Sequence, residues 1–164
     1  MENNYNNLYS FWVIILTLIY SIYIAFQNKY ILIIGIFITW LIHYIIKYII
    51  KIIPNTPNYF IRPKSAKDCN ILNNNGTCDD QPGFPSGHVA TTSFFFNYLL
   101  LKYISNNNNI NKLFYFILFN IPVLLMGVSR YYKKCHNILQ IIGGYVLGVI
   151  ISIIMIFIEK KYNL

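Results

Sequence analysis

Apolar residues fall into five long runs separated by polar breaks. The first, residues 11–26, contains no acid or base and is about long enough to cross a bilayer. It lacks the basic leader and small-residue cleavage site of a signal peptide, so it is expected to remain as a helix. The second, residues 30–53, is interrupted by His43, Lys47 and Lys51. Its lysines fall one helical turn apart near the end of the run, where long amines can snorkel to the interface. His43 either marks a pathway or packs against a neighbouring helix, and Pro54 and Pro57 stop the run. The third run, residues 88–104, carries Phe94, Phe95 and Phe96 and ends in an Asn-rich tract, 105–112, that reads as a solvated turn. The fourth covers residues 113–129. The fifth, residues 137–158, closes with Glu159-Lys160-Lys161, and its Gly144 and Gly148 form a small-xxx-small face suited to close helix approach. The pattern predicts an all-α protein, a polytopic membrane helical bundle of about five transmembrane helices, as one domain over residues 1–164.

Composition agrees with the pattern. Of 164 residues, 56% are apolar and 11% charged, which fits a small membrane protein better than a soluble one. Tyrosines near the segment ends suit interfacial belts. The net charge of +8 calls for no nucleic acid, because the basic residues gather at the expected membrane surfaces, where anionic lipid or a phosphate substrate is the fitting partner.

The exception to apolar character is the polar stretch 54–87, too long to be a mere connection in so small a protein. It ends in Gly83-Phe84-Pro85-Ser86-Gly87-His88, which reads as a helix start built to hold an anion. Pro85 and Gly87 shape the turn, Ser86 offers a capping hydroxyl, and the first backbone N–H groups of the helix point back into the loop. His88 would sit beside that anion, where an imidazole can transfer a proton. Five crossings put the loops after the second and fourth helices on one side of the membrane, with the N-terminus. Arg62, residues 86–88, Arg130 and His136 would then share one surface, as a phosphate site with a nucleophile and an acid.

The order Arg62-Pro63, Pro-Ser-Gly-His at 85–88, then Ser129-Arg130, His136 and Gln140 resembles the three-part signature of the type 2 phosphatidic acid phosphatase superfamily, membrane phosphatases related to vanadium haloperoxidases. The resemblance runs from about residue 51 to the end. It implies His136 as a nucleophile that forms a phosphohistidine and His88 as the acid that protonates the leaving group. It also implies Arg62, Arg130, Ser86 and the Gly87 backbone as holders of the phosphoryl oxygens. Two positions depart from the pattern. The family's first-motif lysine falls on Asn55; a short insertion over residues 54–57 would leave Lys51 in its place, with Lys64 and Lys67 as competitors. Where most members have Asp, this chain has Gln140, one turn beyond His136, able to reach the imidazole N–H and fix its tautomer. Gln at this place resembles the dolichyl diphosphate phosphatases and the glucose-6-phosphatases.

The resemblance implies no metal and no cofactor: arginine donors can meet the charge on a transferred phosphoryl group. Asp68, Asp79 and Asp80 have no metal-binding spacing and read as a solvated loop. Cys69 and Cys78 are close enough in sequence to bridge the loop, and Asn75-Gly76-Thr77 between them is a glycosylation sequon. Both suit a lumenal or extracytoplasmic active site, such as one in the endoplasmic reticulum, with a cytoplasmic C-terminus; two thiols and an accidental sequon in Asn-rich sequence are the alternative. The expected function is a metal-independent phosphatase acting on a lipid phosphate or prenyl diphosphate, dolichyl diphosphate foremost. A soluble phosphoester substrate, and a catalytically silent protein keeping a lipid or phosphate pocket, are the competing readings.

Overall fold

The computed structural model describes residues 30–64, 66, 67, 69, 78, 81–107 and 111–163, together with Ile15. Apart from Ile15, the helix expected over residues 11–26 lies outside the described residues, as do the sequon at 75–77 and Asp68, Asp79 and Asp80. Four α-helices are described: α1 (Ile31–Ile52), α2 (Gly87–Asn106), α3 (Lys112–Tyr132) and α4 (Ile138–Tyr162), with a single 3₁₀ turn at Asn58–Phe60. The fold is an all-helical membrane bundle. α1, α3 and α4, of 22, 21 and 25 residues, are long and apolar enough to cross a bilayer.

α2 is the exception, and its place explains why. It packs against α1, α3 and α4 and has more buried residues than any of the other three, which makes it the central helix of the four. Its polar residues Thr92, Ser93 and Asn97 are buried in protein. The Ser93 hydroxyl donates to the Tyr145 carbonyl (2.9 Å) and the Asn97 amide to the Ser93 carbonyl (2.9 Å), which satisfies groups that would be costly against lipid. The outer helices show the reverse pattern. On α1, Ile34, Phe37, Trp40, Leu41 and Tyr44 face outwards, as a lipid-facing surface requires.

Close approach depends on glycines. A Cβ on Gly144 would meet the Ser86 carbonyl oxygen at 2.6 Å, and one on Gly148 the Ala90 carbonyl oxygen at 2.5 Å, so the small-xxx-small face of α4 lies directly on the backbone of α2. Gly35 of α1 likewise admits the Phe94 ring. Around these contacts Ile31, Leu32, Phe94, Phe95, Tyr98, Ile151 and Met155 form the main apolar core, away from the polar loop. At that far end Glu159 accepts from the Tyr98 hydroxyl (2.7 Å) and pairs with Lys102.

Two caps fix where helices begin. The Asn111 side chain accepts from the Phe114 N–H, and Asn137 and Gln140 form a reciprocal capping box at the start of α4. The second cap matters beyond helix stability, because it orients residue 140.

Candidate active site

The polar loop folds back on itself to make a platform. Ile61 and Pro82 form an antiparallel bridge, Arg62 N–H donates to the Gln81 carbonyl (3.0 Å), and the Gly83 and Phe84 N–H groups share the Phe60 carbonyl (2.8 and 3.2 Å). Phe60 and Phe84 pack edge to face. The Phe84–Pro85 peptide bond is cis. Ser86 N–H then donates to the Gln140 carbonyl (2.9 Å), which ties the start of α2 to the first turn of α4. Gly87 follows as the first residue of α2 and His88 as the second.

At the start of α4 the Gln140 side chain, fully buried, determines the state of His136. Its Nε2 lies 3.0 Å from the Tyr59 carbonyl oxygen and 2.8 Å from that of Ile61. Both are acceptors, so the amide must present its NH₂ to them and its oxygen to His136, 3.0 Å from Nδ1. An amide oxygen only accepts, and Nδ1 must therefore carry the proton. In the neutral ring this leaves the lone pair on Nε2, as a histidine nucleophile requires. Burial holds the His136 pKa well below the ordinary histidine value, with the charges of Arg62, Lys47 and Arg130 adding to the effect and the Gln140 bond opposing it.

The other expected phosphate ligands gather around the two histidines. Arg62 and Arg130 are both buried. Nη2 of Arg130 donates to the Cys69 carbonyl, whereas its Nε, and Nε and Nη1 of Arg62, meet no partner among the described residues. Burial also lowers the Arg62 pKa, though a guanidinium remains charged. Ser86 is the N-cap residue of α2, but the capping bond expected of its hydroxyl is not made: Oγ is buried and bonds no described group. Buried donors without partners are unusual, and here they occur on three side chains around one helix N-terminus, an arrangement suited to a bound anion. His88, partly accessible, lies within electrostatic reach of Arg130, His136, Lys47 and Arg62. Arg62, Arg130, Ser86, Gly87, His88, His136 and Gln140 are thus brought together.

The lysines divide differently from the sequence reading. Asn55 is exposed in a left-handed turn (φ 56°), a conformation that suits Asn better than Lys. Lys64 and Lys67 are exposed on the loop. Lys51 lies at a cavity of about 600 Å³ also lined by His43, Lys47, Arg62, Gln81 and Pro82. Lys51 is itself exposed, and Lys47, one turn back along α1, is the lysine whose charge bears on His136. Lys47, expected to snorkel to the interface, faces the site. Its position on the α1 face shared with His43 and Lys51 was the available signal.

The cysteines require a correction. Cys69 pairs with Cys135, 66 residues away, rather than with Cys78, which is buried in the same small cluster. Sequence proximity favoured a bridge within the loop. The end of α3, however, brings Cys135 to the loop beside the Arg130 to Cys69 hydrogen bond, at a Cα separation of 5.4 Å that suits a disulfide. The bridge fastens the loop to the residue preceding His136.

A sequence model of the PAP2 superfamily matches residues 28–163, most of the chain. No curated protein and no solved structure matches it.

Proposed function

The chain belongs to the PAP2 superfamily, generally phosphatases and other hydrolases, and on that premise we propose that it is an integral membrane phosphatase working through a phosphohistidine at His136. The observation that carries this reading is the Gln140 amide, anchored by two backbone carbonyls so that His136 presents an unprotonated Nε2.

In the proposed reaction, Nε2 of His136 attacks phosphorus in line, the P–O bond to the leaving group breaks, and its electron pair goes to the leaving oxygen, which takes a proton from His88. Arg62, Arg130, the Ser86 hydroxyl and the Gly87 N–H meet the charge on the three peripheral oxygens. The ring of His136 becomes positive as the N–P bond forms, and the Gln140 oxygen holds its Nδ1 proton without adding negative charge. Water then attacks the phosphohistidine, giving its proton to His88, and inorganic phosphate and neutral His136 are restored.

The substrate class is a lipid phosphate or prenyl diphosphate, in keeping with a site at the end of membrane-crossing helices. A disulfide beside the site supports a lumenal or extracytoplasmic location, because such bonds persist in oxidising compartments. The test is phosphate release by purified protein from a panel of lipid phosphates, prenyl diphosphates and soluble phosphoesters. Release that falls to background in His136→Ala, with the variant still inserted and helical, supports the reading. No release from any substrate would favour a silent phosphate-binding protein.

A further inference from the structure

We infer that the three cysteines beside the site form an exchange relay: the Cys78 thiol displaces Cys135 from its bridge to Cys69, and an anion in the phosphate pocket holds this exchange back. The part played by the anion rests on the phosphatase reading; the exchange itself does not.

Cys69, Cys78 and Cys135 lie in one buried cluster with Ala66, each at most 1% exposed. The bridge joins Cys69 to Cys135, and Cys78 keeps its thiol. The Cys78 backbone N–H donates to the Ala66 carbonyl (2.8 Å), which pins that residue to the part of the loop that leads to Cys69. A third sulfur is thereby packed in with the disulfide and sealed from outside thiols, as an internal attacking group requires. The odd cysteine of an oxidising compartment otherwise pairs with another chain, and burial denies it that partner.

The attacking species in such an exchange is a thiolate. Cys78 lies within electrostatic reach of Arg62 and Arg130, the buried guanidinium groups assigned to the phosphoryl oxygens. Nε and Nη1 of Arg62 and Nε of Arg130 meet no partner among the described residues, so in the empty site both charges act on a negative sulfur nearby. A phosphate bound between them takes up their donors, cancels their charge and leaves that sulfur without support.

In the step itself the Cys78 sulfur attacks Sγ of Cys69. The Cys69–Cys135 bond breaks, its electron pair leaves with Cys135, and Cys135 takes up the proton that Cys78 gave away. One S–S bond forms as one is lost, so no oxidant or reductant is required. The consequence is mechanical. Cys135 directly precedes His136, and its N–H donates to the Arg130 carbonyl (3.1 Å). The loop supplies Arg62 and the Tyr59 and Ile61 carbonyls that hold Gln140. Moving the bridge into the loop unfastens these two halves of the site from each other. Such rearrangements take minutes to hours, so brief alkylation reads the resting bridge between Cys69 and Cys135.

The experiment holds the full chain, purified in detergent without reductant, for hours in inorganic phosphate or after its removal. Samples are unfolded rapidly in excess N-ethylmaleimide and their peptides mapped without reduction. In phosphate the label should lie on Cys78. After removal it should pass to Cys135 at least about fivefold faster than in phosphate. Activity on a substrate that the wild type hydrolyses should fall in step with label on Cys135, while Cys78→Ser keeps its initial rate through the same incubation. Label that stays on Cys78, that moves to Cys69 instead, or that reaches Cys135 equally fast in both conditions would overturn the relay, as would equal decay of activity in Cys78→Ser. The labelling needs no turnover, so transfer to Cys135 in a protein that hydrolyses no phosphoester would count against the phosphatase reading and not against the exchange.

Discussion

Gly83 lies against the side chain of Gln140 so closely that a Cβ at position 83 would come within 2.4 Å of the amide oxygen. That oxygen is the one facing Nδ1 of His136. A loop glycine therefore makes room for the group that sets the nucleophile's tautomer. Gly83→Ala is expected to push the amide off the imidazole and lower kcat by about 10- to 100-fold, the scale of a lost positioning contact. Helical content should not change. Activity assays paired with circular dichroism check this.

Gln140→Glu keeps the size of the side chain but replaces two donors by an acceptor facing the carbonyls of Tyr59 and Ile61. Two hydrogen bonds would become two repulsive contacts in a buried site, and destabilisation on the order of 1–3 kcal/mol is expected. Activity should fall with it, even though a carboxylate beside a histidine is a familiar catalytic pair. Thermal unfolding in detergent and kcat measured together are the check; a more active, equally stable variant would contradict the role assigned to the amide.

The state of His136 should also show in acid stability. Its folded pKa lies well below the ordinary value of about 6.5, so the unfolded chain binds a proton there before the folded one does. The resulting stability is present above about pH 6.5 and is lost as pH falls towards the folded pKa. His136→Gln should therefore lose less thermal stability than wild type between pH 7 and pH 5. Parallel melting curves for the two proteins would reveal no reversal of that order.

Orientation can be read from two markers. With the disulfide and the active site on the lumenal side, Cys69 and Cys135 should be alkylated in sealed microsomes only after permeabilisation and reduction. A C-terminal tag should be open to external protease. Cys135→Ala should cost about 2–5 kcal/mol by releasing the loop from the end of α3. A protected tag with readily labelled Cys69 would invert the orientation.

Much of the fold was legible in the sequence because apolar runs and prolines mark helix ends directly. The expected spans 30–53, 88–104, 113–129 and 137–158 compare with helices at Ile31–Ile52, Gly87–Asn106, Lys112–Tyr132 and Ile138–Tyr162. The central position of α2 was hidden, since its buried Ser93 and Asn97 make sense only once three helices surround them. The candidate site was visible as motif residues, but its wiring was not. That Gln140 binds the carbonyls of Tyr59 and Ile61 depends on a loop folding back over some eighty residues of chain separation, which no local pattern encodes. Lys47 and Lys51 share a helix face, and which of them reaches the histidines depends on how α1 sits against α2 around Gly35 and Phe94. The cysteine pairing escaped for the same reason: nearness in sequence lost to the arrival of α3 at the loop.

The central claim is that His136 carries phosphorus during turnover, and trapping tests it most directly. Purified protein mixed with substrate labelled in the transferred phosphoryl group and quenched within a turnover should carry acid-labile, alkali-stable label on the peptide containing His136. Slowing the second step with His88→Ala should increase the trapped fraction on a substrate with a good leaving group, which needs less protonation. Label on His136 that forms and decays at rates matching phosphate release is the predicted result. Undiminished phosphate release by His136→Ala, or turnover with no label on that peptide, would contradict the account.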